Sequence, residues 1–184
     1  MIIIDDFVAE KIWRPLKESI CSDSFPWYYN EHSAYEGDGI PQLTHTIWDT
    51  EKGPMSDLYT HLLPVIQCFQ MMEVSKLGRK KWIIPEPVLV RIKMNLDMKT
   101  ENPIQSAFHQ DLVPSVTTKD RRTAILYVNT NNGCTKFDDK KSIESVENRC
   151  VIFDSDVEHS GVTSTNDRRI VMNFNYFVPN PFTI

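Results

Sequence analysis

Arg169-Ile170-Val171-Met172-Asn173-Phe174-Asn175-Tyr176-Phe177 alternates with a period of two. On a β-strand, Ile170, Met172, Phe174 and Tyr176 fall on one side as a continuous apolar face for packing. Arg169, Val171, Asn173 and Asn175 fall on the other side, which is too polar for a dry core and suits the lining of a ligand cavity. The arginine at the mouth of that cavity is a fork suited to a dicarboxylate. The same parity sends Arg168 to the packing side. An edge strand with a solvated polar face alternates in the same way, so this segment defines a strand and its two faces before it defines a function.

The residues before it carry the same signal. Val88 to Leu96 begins apolar and then alternates, with Ile92, Met94 and Leu96 on one face and Arg91, Lys93 and Asn95 on the other. Ala124 to Asn129 predicts a further strand, followed by the turn Thr130-Asn131-Asn132-Gly133. Cys134-Thr135-Lys136-Phe137 and Arg149-Cys150-Val151-Ile152-Phe153 add two more. Towards the N-terminus the period lengthens. Asp6 is placed to cap a helix through Val8, Ile12, Leu16 and Ile20, ending between Cys21 and Ser24. Phe25 to Pro41 reads as a loop or short edge strands. Ser56 to Leu77 reads as a second helix through Leu58, Leu62, Val65, Ile66 and Phe69, kinked or broken at Pro64 and ended by Gly78. Strands following helices in this order predict an α+β chain with its helices packed outside a β-sandwich or barrel. A single domain is expected over 1–184, with 1–86 as helical and loop support and 87–178 as the β core.

The chain has 184 residues, 41% of them hydrophobic, enough to bury a real core. Its net charge of −5 comes from acidic and basic residues mixed along the whole length. A pI near 5.5 without a basic stripe argues against nucleic acid or an anionic membrane as partner. Asp5 and Asp6 interrupt the apolar start Met1-Ile2-Ile3-Ile4 before it can form a signal peptide or a span, so a soluble cytoplasmic protein is expected. Cys21, Cys68, Cys134 and Cys150 form no C-x-x-C pair, and free thiols are expected.

Three residues carry the candidate chemistry. His109 and Asp111 stand two apart in Phe108-His109-Gln110-Asp111-Leu112, and on a strand both reach one metal ion. That pair alone is common by chance. His159, after the apolar strand Val151-Ile152-Phe153 and before the Arg169 strand, supplies a third ligand. Two histidines and one carboxylate on one face of an ion leave open positions, as iron(II) oxygenases require.

The order H-x-D, a strand containing Tyr127, an Asn-Gly turn, a distal histidine and an arginine ten residues after it resembles the prolyl 4-hydroxylase-like branch of the 2-oxoglutarate oxygenases. The resemblance runs from Arg91 to Phe177, and Asn148 to Phe153, His159-Ser160-Gly161 and Arg168 to Phe177 look like the short stand-alone members of bacterial and phage genomes. It implies a double-stranded β-helix (jelly-roll, cupin-like) core. It also implies Fe(II) held by His109, Asp111 and His159, with 2-oxoglutarate as co-substrate and O2 as oxidant. Arg169 would pair with the distal carboxylate of 2-oxoglutarate, and Tyr127 would donate a hydrogen bond to the same group. The implied reaction is hydroxylation of an unactivated C–H bond with release of succinate and CO2. A prolyl peptide is the first candidate substrate, followed by a free amino acid or other small metabolite. One departure stands after Asn95-Leu96, where relatives often carry a tyrosine and this chain has Asp97. Two other readings stay open: a cupin-like metal enzyme that uses no 2-oxoglutarate, and a non-catalytic ligand-binding barrel.

Overall fold

The computed structural model describes residues 1–76, 82–83, 87–111, 121–137, 141–178 and 182–183. In chain order its elements are β1 (Ile2–Ile4), α1 (Glu10–Cys21), β2 (Tyr28–Asn30), β3 (Gln42–Asp49), β4 (Gly53–Pro54), α2 (Leu58–Lys76), β5 (Trp82–Ile83), β6 (Val88–Asp97), β7 (Arg121–Tyr127), β8 (Cys134–Phe137), β9 (Ser142–Glu144), β10 (Cys150–Asp154), β11 (His159–Val162), β12 (Arg169–Phe177) and β13 (Phe182–Thr183). Among the described residues, an eight-stranded sheet runs β1-β10-β7-β12-β6-β3-β2, with β4 on β3. A second sheet, β11-β8-β9, has three strands. All strand pairs are antiparallel.

The period-two pattern explains the layers. Ile92, Met94, Leu96, Ala124, Leu126, Ile170, Met172, Phe174 and Tyr176 form one face of the large sheet and share a buried cluster with Trp13, Leu16 and Ile20 of α1 and Leu62, Val65 and Phe69 of α2. The opposite face contributes Ile125, Tyr127, Val151, Phe153 and Val171, which pack on Phe137 and Ile143 of the small sheet. The helices therefore cover the outside of the large sheet, and the cavity lies between the two sheets. This is the double-stranded β-helix with external helices that the resemblance implies. No helix among the described residues is long and apolar enough to cross a membrane.

Several local expectations change. Asp6 has a left-handed backbone (φ 50°) and does not cap α1, whose N-cap is Ala9 with no side-chain bond. The Asn148 amide pins Val8 from both sides, accepting from its N–H at 3.0 Å and donating to its carbonyl at 2.8 Å, so the helix starts after it. Helix α2 is not broken at Pro64, which lies inside it, and its apolar side is buried against the sheet. Gly78 lies outside the described residues. Gln42–Asp49, for which the sequence predicts no strand, pairs along β6 and widens the large sheet. Strand β7 ends at Tyr127, and the Asn129 side chain continues the ladder, accepting from Ile170 N–H at 3.0 Å and donating to the Arg168 carbonyl at 2.8 Å.

Candidate metal centre

His109 and His159 meet as an isolated antiparallel bridge, each backbone N–H donating to the other's carbonyl at 3.0 Å. This pairing brings a residue of the 109–111 segment against the start of β11 and points both imidazoles the same way. Their ring centroids are 4.7 Å apart. Asp111 completes the group, with His109 Nε2 4.0 Å from Oδ1 and His159 Nε2 3.8 Å from Oδ2. Three donor atoms, one from each residue, lie within 4.8 Å of one another.

The tautomers follow from the neighbours. His109 Nδ1 lies 3.1 Å from the Ala107 carbonyl and His159 Nδ1 3.2 Å from the Val157 carbonyl. A carbonyl only accepts, so both Nδ1 atoms carry hydrogen and, in the neutral rings, both Nε2 lone pairs face Asp111. His45 offers a contrast: its nitrogens are engaged by the Pro26 carbonyl and the Ser56 hydroxyl, both at 2.8 Å, and it is a satisfied core histidine. A bound ion would be held by these three donors, which would close on it from their present separations. The donor set of two neutral imidazoles and a carboxylate fits a divalent transition metal.

The Asp111 side chain is buried and supported. Asn175 Nδ2 donates to its Oδ2 at 3.1 Å, and Arg91 lies 3.5 Å from Oδ1. Burial works to raise this carboxyl, but His159, Arg91, the Asn175 amide and His109 together hold it below its ordinary value. Burial pulls the His159 imidazole below its ordinary range, and the neighbouring Asp111 only partly opposes this.

Beside the triad a cleft is lined by Gln42, Asn95, Asp97, Thr135, Arg169 and Asn173, with His109 and His159 in its wall. The register of β12 on β6 builds its floor: Arg169 faces Asp97, Val171 faces Asn95, Asn173 faces Lys93 and Asn175 faces Arg91. Arg169, Val171 and Asn173 line the cleft, as the strand parity requires. Arg168 points the other way, donating to the Cys21 carbonyl at the end of α1 at 2.8 Å.

Arg169 is at the buried end of the cleft and not at its mouth, with 3% exposure. Its Nε donates to Ser145 Oγ at 3.1 Å, Nη2 to Thr135 Oγ1 at 2.9 Å and Nη1 to Asp97 Oδ2 at 3.2 Å. Tyr127 is fully buried beneath it, its hydroxyl donating to Thr135 Oγ1 at 2.8 Å. Burial raises the Tyr127 phenol above its ordinary value, so it stays a donor. Thr135 therefore accepts from both Tyr127 and Arg169, and its own hydroxyl hydrogen is left for the cleft it lines. The acceptor atoms Gln42 Oε1, Asn95 Oδ1 and Asn173 Oδ1, all in the cleft wall, are buried without a hydrogen-bond partner. Orphaned polar atoms converging on one cleft mark a place for a polar ligand.

No protein-family model and no curated protein matches the sequence. Solved structures match the fold along almost the whole chain. A prolyl 4-hydroxylase from Pseudomonas putida is 13% identical with a TM-score of 0.60, over 97% of this chain and 92% of that one. The viral collagen prolyl hydroxylase of Paramecium bursaria Chlorella virus-1, solved with 2-oxoglutarate, is 13% identical with a TM-score of 0.58, over 96% and 95%. The α-ketoglutarate-dependent epimerase SnoN of nogalamycin biosynthesis is 11% identical with a TM-score of 0.61, over 98% and 78%. The chain shares with them the double-stranded β-helix fold.

Proposed function

We propose that this chain is an Fe(II)- and 2-oxoglutarate-dependent oxygenase that hydroxylates an unactivated C–H bond. The observation that carries the reading is the convergence of two Nε2 lone pairs and the Asp111 carboxylate, with the ring hydrogens locked away on backbone carbonyls. His109, Asp111 and His159 would hold the iron. Arg169 and the free Thr135 hydroxyl hydrogen would receive the distal carboxylate of 2-oxoglutarate, with Tyr127 acting through Thr135. When bound, the metal and co-substrate supply a two-electron oxidation by O2, releasing succinate and CO2. The chain's own part is to aim Nε2 of both imidazoles at Asp111, to hold Asp111 ionised, and to present a buried cation to the co-substrate. Prolyl peptides come first as substrates because the matching structures include several prolyl hydroxylases. Free amino acids and small metabolites come next, since the same fold serves an epimerase.

The test is anaerobic addition of 2-oxoglutarate to the Fe(II) protein, read by the visible charge-transfer band, followed by succinate formation on admitting air. His109→Ala, Asp111→Ala and His159→Ala should each lose most iron binding and keep the circular dichroism spectrum. A wild-type protein that loads iron but gives neither band nor succinate would return the field to the cupin-like or non-catalytic readings.

A further inference from the structure

The Arg169 guanidinium already has a carboxylate partner. Asp97 Oδ2 lies 3.2 Å from Arg169 Nη1, with side chains 11% and 4% exposed respectively. The contact is set by the sheet, since Asp97 and Arg169 are direct cross-strand partners of β6 and β12. The other Asp97 oxygen accepts from Gln42 Nε2 at 2.7 Å, so both oxygens are engaged within the cleft.

Asp97 is not needed to aim Arg169. Ser145 holds Nε and Thr135 holds Nη2. The side-chain stem rests on Gly133, where even a Cβ would come within 2.8 Å of Arg169 Cδ. What Asp97 adds is charge. It neutralises Arg169, the one Lys or Arg among the described residues lining this end of the cleft, whereas Arg91 and Lys93 stand together at the triad end of the same β6 face with Asp111 as their counter-charge. A ligand carboxylate arriving at Arg169 therefore meets a like charge in contact with its own binding partner.

We propose that Asp97 is an internal competitor for the co-substrate: it occupies the guanidinium that a dicarboxylate needs, and so weakens both the affinity for 2-oxoglutarate and the preference for it over 2-oxo acids with an uncharged tail. The proposal rests on the 2-oxoglutarate reading above. It makes opposite predictions from a positioning role: removing the charge should tighten binding if Asp97 competes and weaken it if Asp97 orients Arg169.

The experiment is calorimetric titration, without oxygen, of 2-oxoglutarate and of 2-oxopentanoate into the Mn(II)-loaded wild type, Asp97→Asn and Asp97→Ser, with melting curves on the same samples. 2-Oxopentanoate keeps the keto acid and replaces the distal carboxylate by a methyl group. Both variants should bind 2-oxoglutarate more tightly by on the order of tenfold, the scale of one removed like charge near a partly buried ion pair. Their affinity for 2-oxopentanoate should not change. The Ser variant decides the matter if the Asn variant does not fold. Unchanged or weaker 2-oxoglutarate binding overturns the proposal, and so does equal tightening of both ligands. If metal loads but no form binds 2-oxoglutarate, the co-substrate reading itself fails and this inference falls with it.

Discussion

The Asn175 amide donates to Asp111 Oδ2 at 3.1 Å and to Thr123 Oγ1 at 3.1 Å, and so holds the candidate ligand from the strand beneath it. Its own oxygen accepts from Arg91 Nε at 3.2 Å, joining Arg91, Asn175 and Asp111 in one partly buried network. Groups that orient a ligand typically carry about ten- to a hundredfold in metal affinity. Asn175→Ala should therefore weaken Mn(II) or Fe(II) binding by that range, although Asn175 is no ligand itself. Competition against a chelator of known affinity measures it, and wild-type affinity in the variant would remove Asn175 from the site.

The burial of His159 has a consequence for pH. In the folded, metal-free protein this imidazole takes up its proton below the ordinary value of 6.5, whereas the unfolded chain does so near it. The unfolded state thus binds more protons in that window, and folding stability falls as pH drops. The contribution is fully present above about pH 6.5 and is lost as pH falls through the folded value. A metal held as proposed would compete with the proton for the same Nε2, so the depressed value would keep His159 available to it in mild acid. An NMR titration of the His159 ring in metal-free protein checks the sign, and a midpoint at or above the ordinary value would contradict it.

Gly133 lets the Arg169 stem pass. A Cβ there would sit 2.7 Å from the Val162 carbonyl oxygen and 2.8 Å from Arg169 Cδ. The first neighbour is backbone and cannot swing away. Gly133→Ala should cost about 1–3 kcal/mol of stability, as overpacking does. It should also weaken 2-oxoglutarate binding through a displaced guanidinium. Denaturant unfolding and co-substrate titration on the same samples are the measurements, and a variant with wild-type values in both would show that the turn relaxes freely.

What the sequence discloses follows from local period. The faces of β6 and β12 were legible because Ile92, Met94 and Leu96, and Ile170, Met172, Phe174 and Tyr176, recur at every second position, and the buried clusters divide along those faces. Gln42–Asp49 was not, because a register shift between Thr46 and Trp48 breaks its alternation. His109, Asp111 and His159 could be named from residue type and spacing, but the His109–His159 bridge is a non-local pairing that no spacing shows. Asp97 stood out only as a missing tyrosine. Its partner emerges once the β6–β12 register is known, as does the place of Thr135 between Tyr127 and Arg169.

Arg168 and Arg169 are neighbours in sequence whose side chains work on opposite faces of the large sheet. Arg168 donates to the Cys21 carbonyl at the C-terminal end of α1, where a cation is favoured and an exposed contact is worth about 0.3–1 kcal/mol. Arg168→Gln should therefore cost at most that much stability and leave 2-oxoglutarate binding unchanged. Arg169→Gln should lose on the order of a hundredfold in 2-oxoglutarate affinity, the scale of a charge-assisted contact in a desolvated site. It should keep its metal, because Arg169 makes no contact with Asp111. It also leaves Asp97, only 11% exposed, with Gln42 in place of its cation, a stranded charge that should destabilise the fold independently of any ligand. The double variant Arg169→Gln/Asp97→Asn separates the two effects: it should recover stability without recovering 2-oxoglutarate affinity. Melting curves and anaerobic titrations of the four proteins test the set. If Arg168→Gln abolished 2-oxoglutarate binding and Arg169→Gln spared it, the assignment of Arg169 to the co-substrate would be wrong.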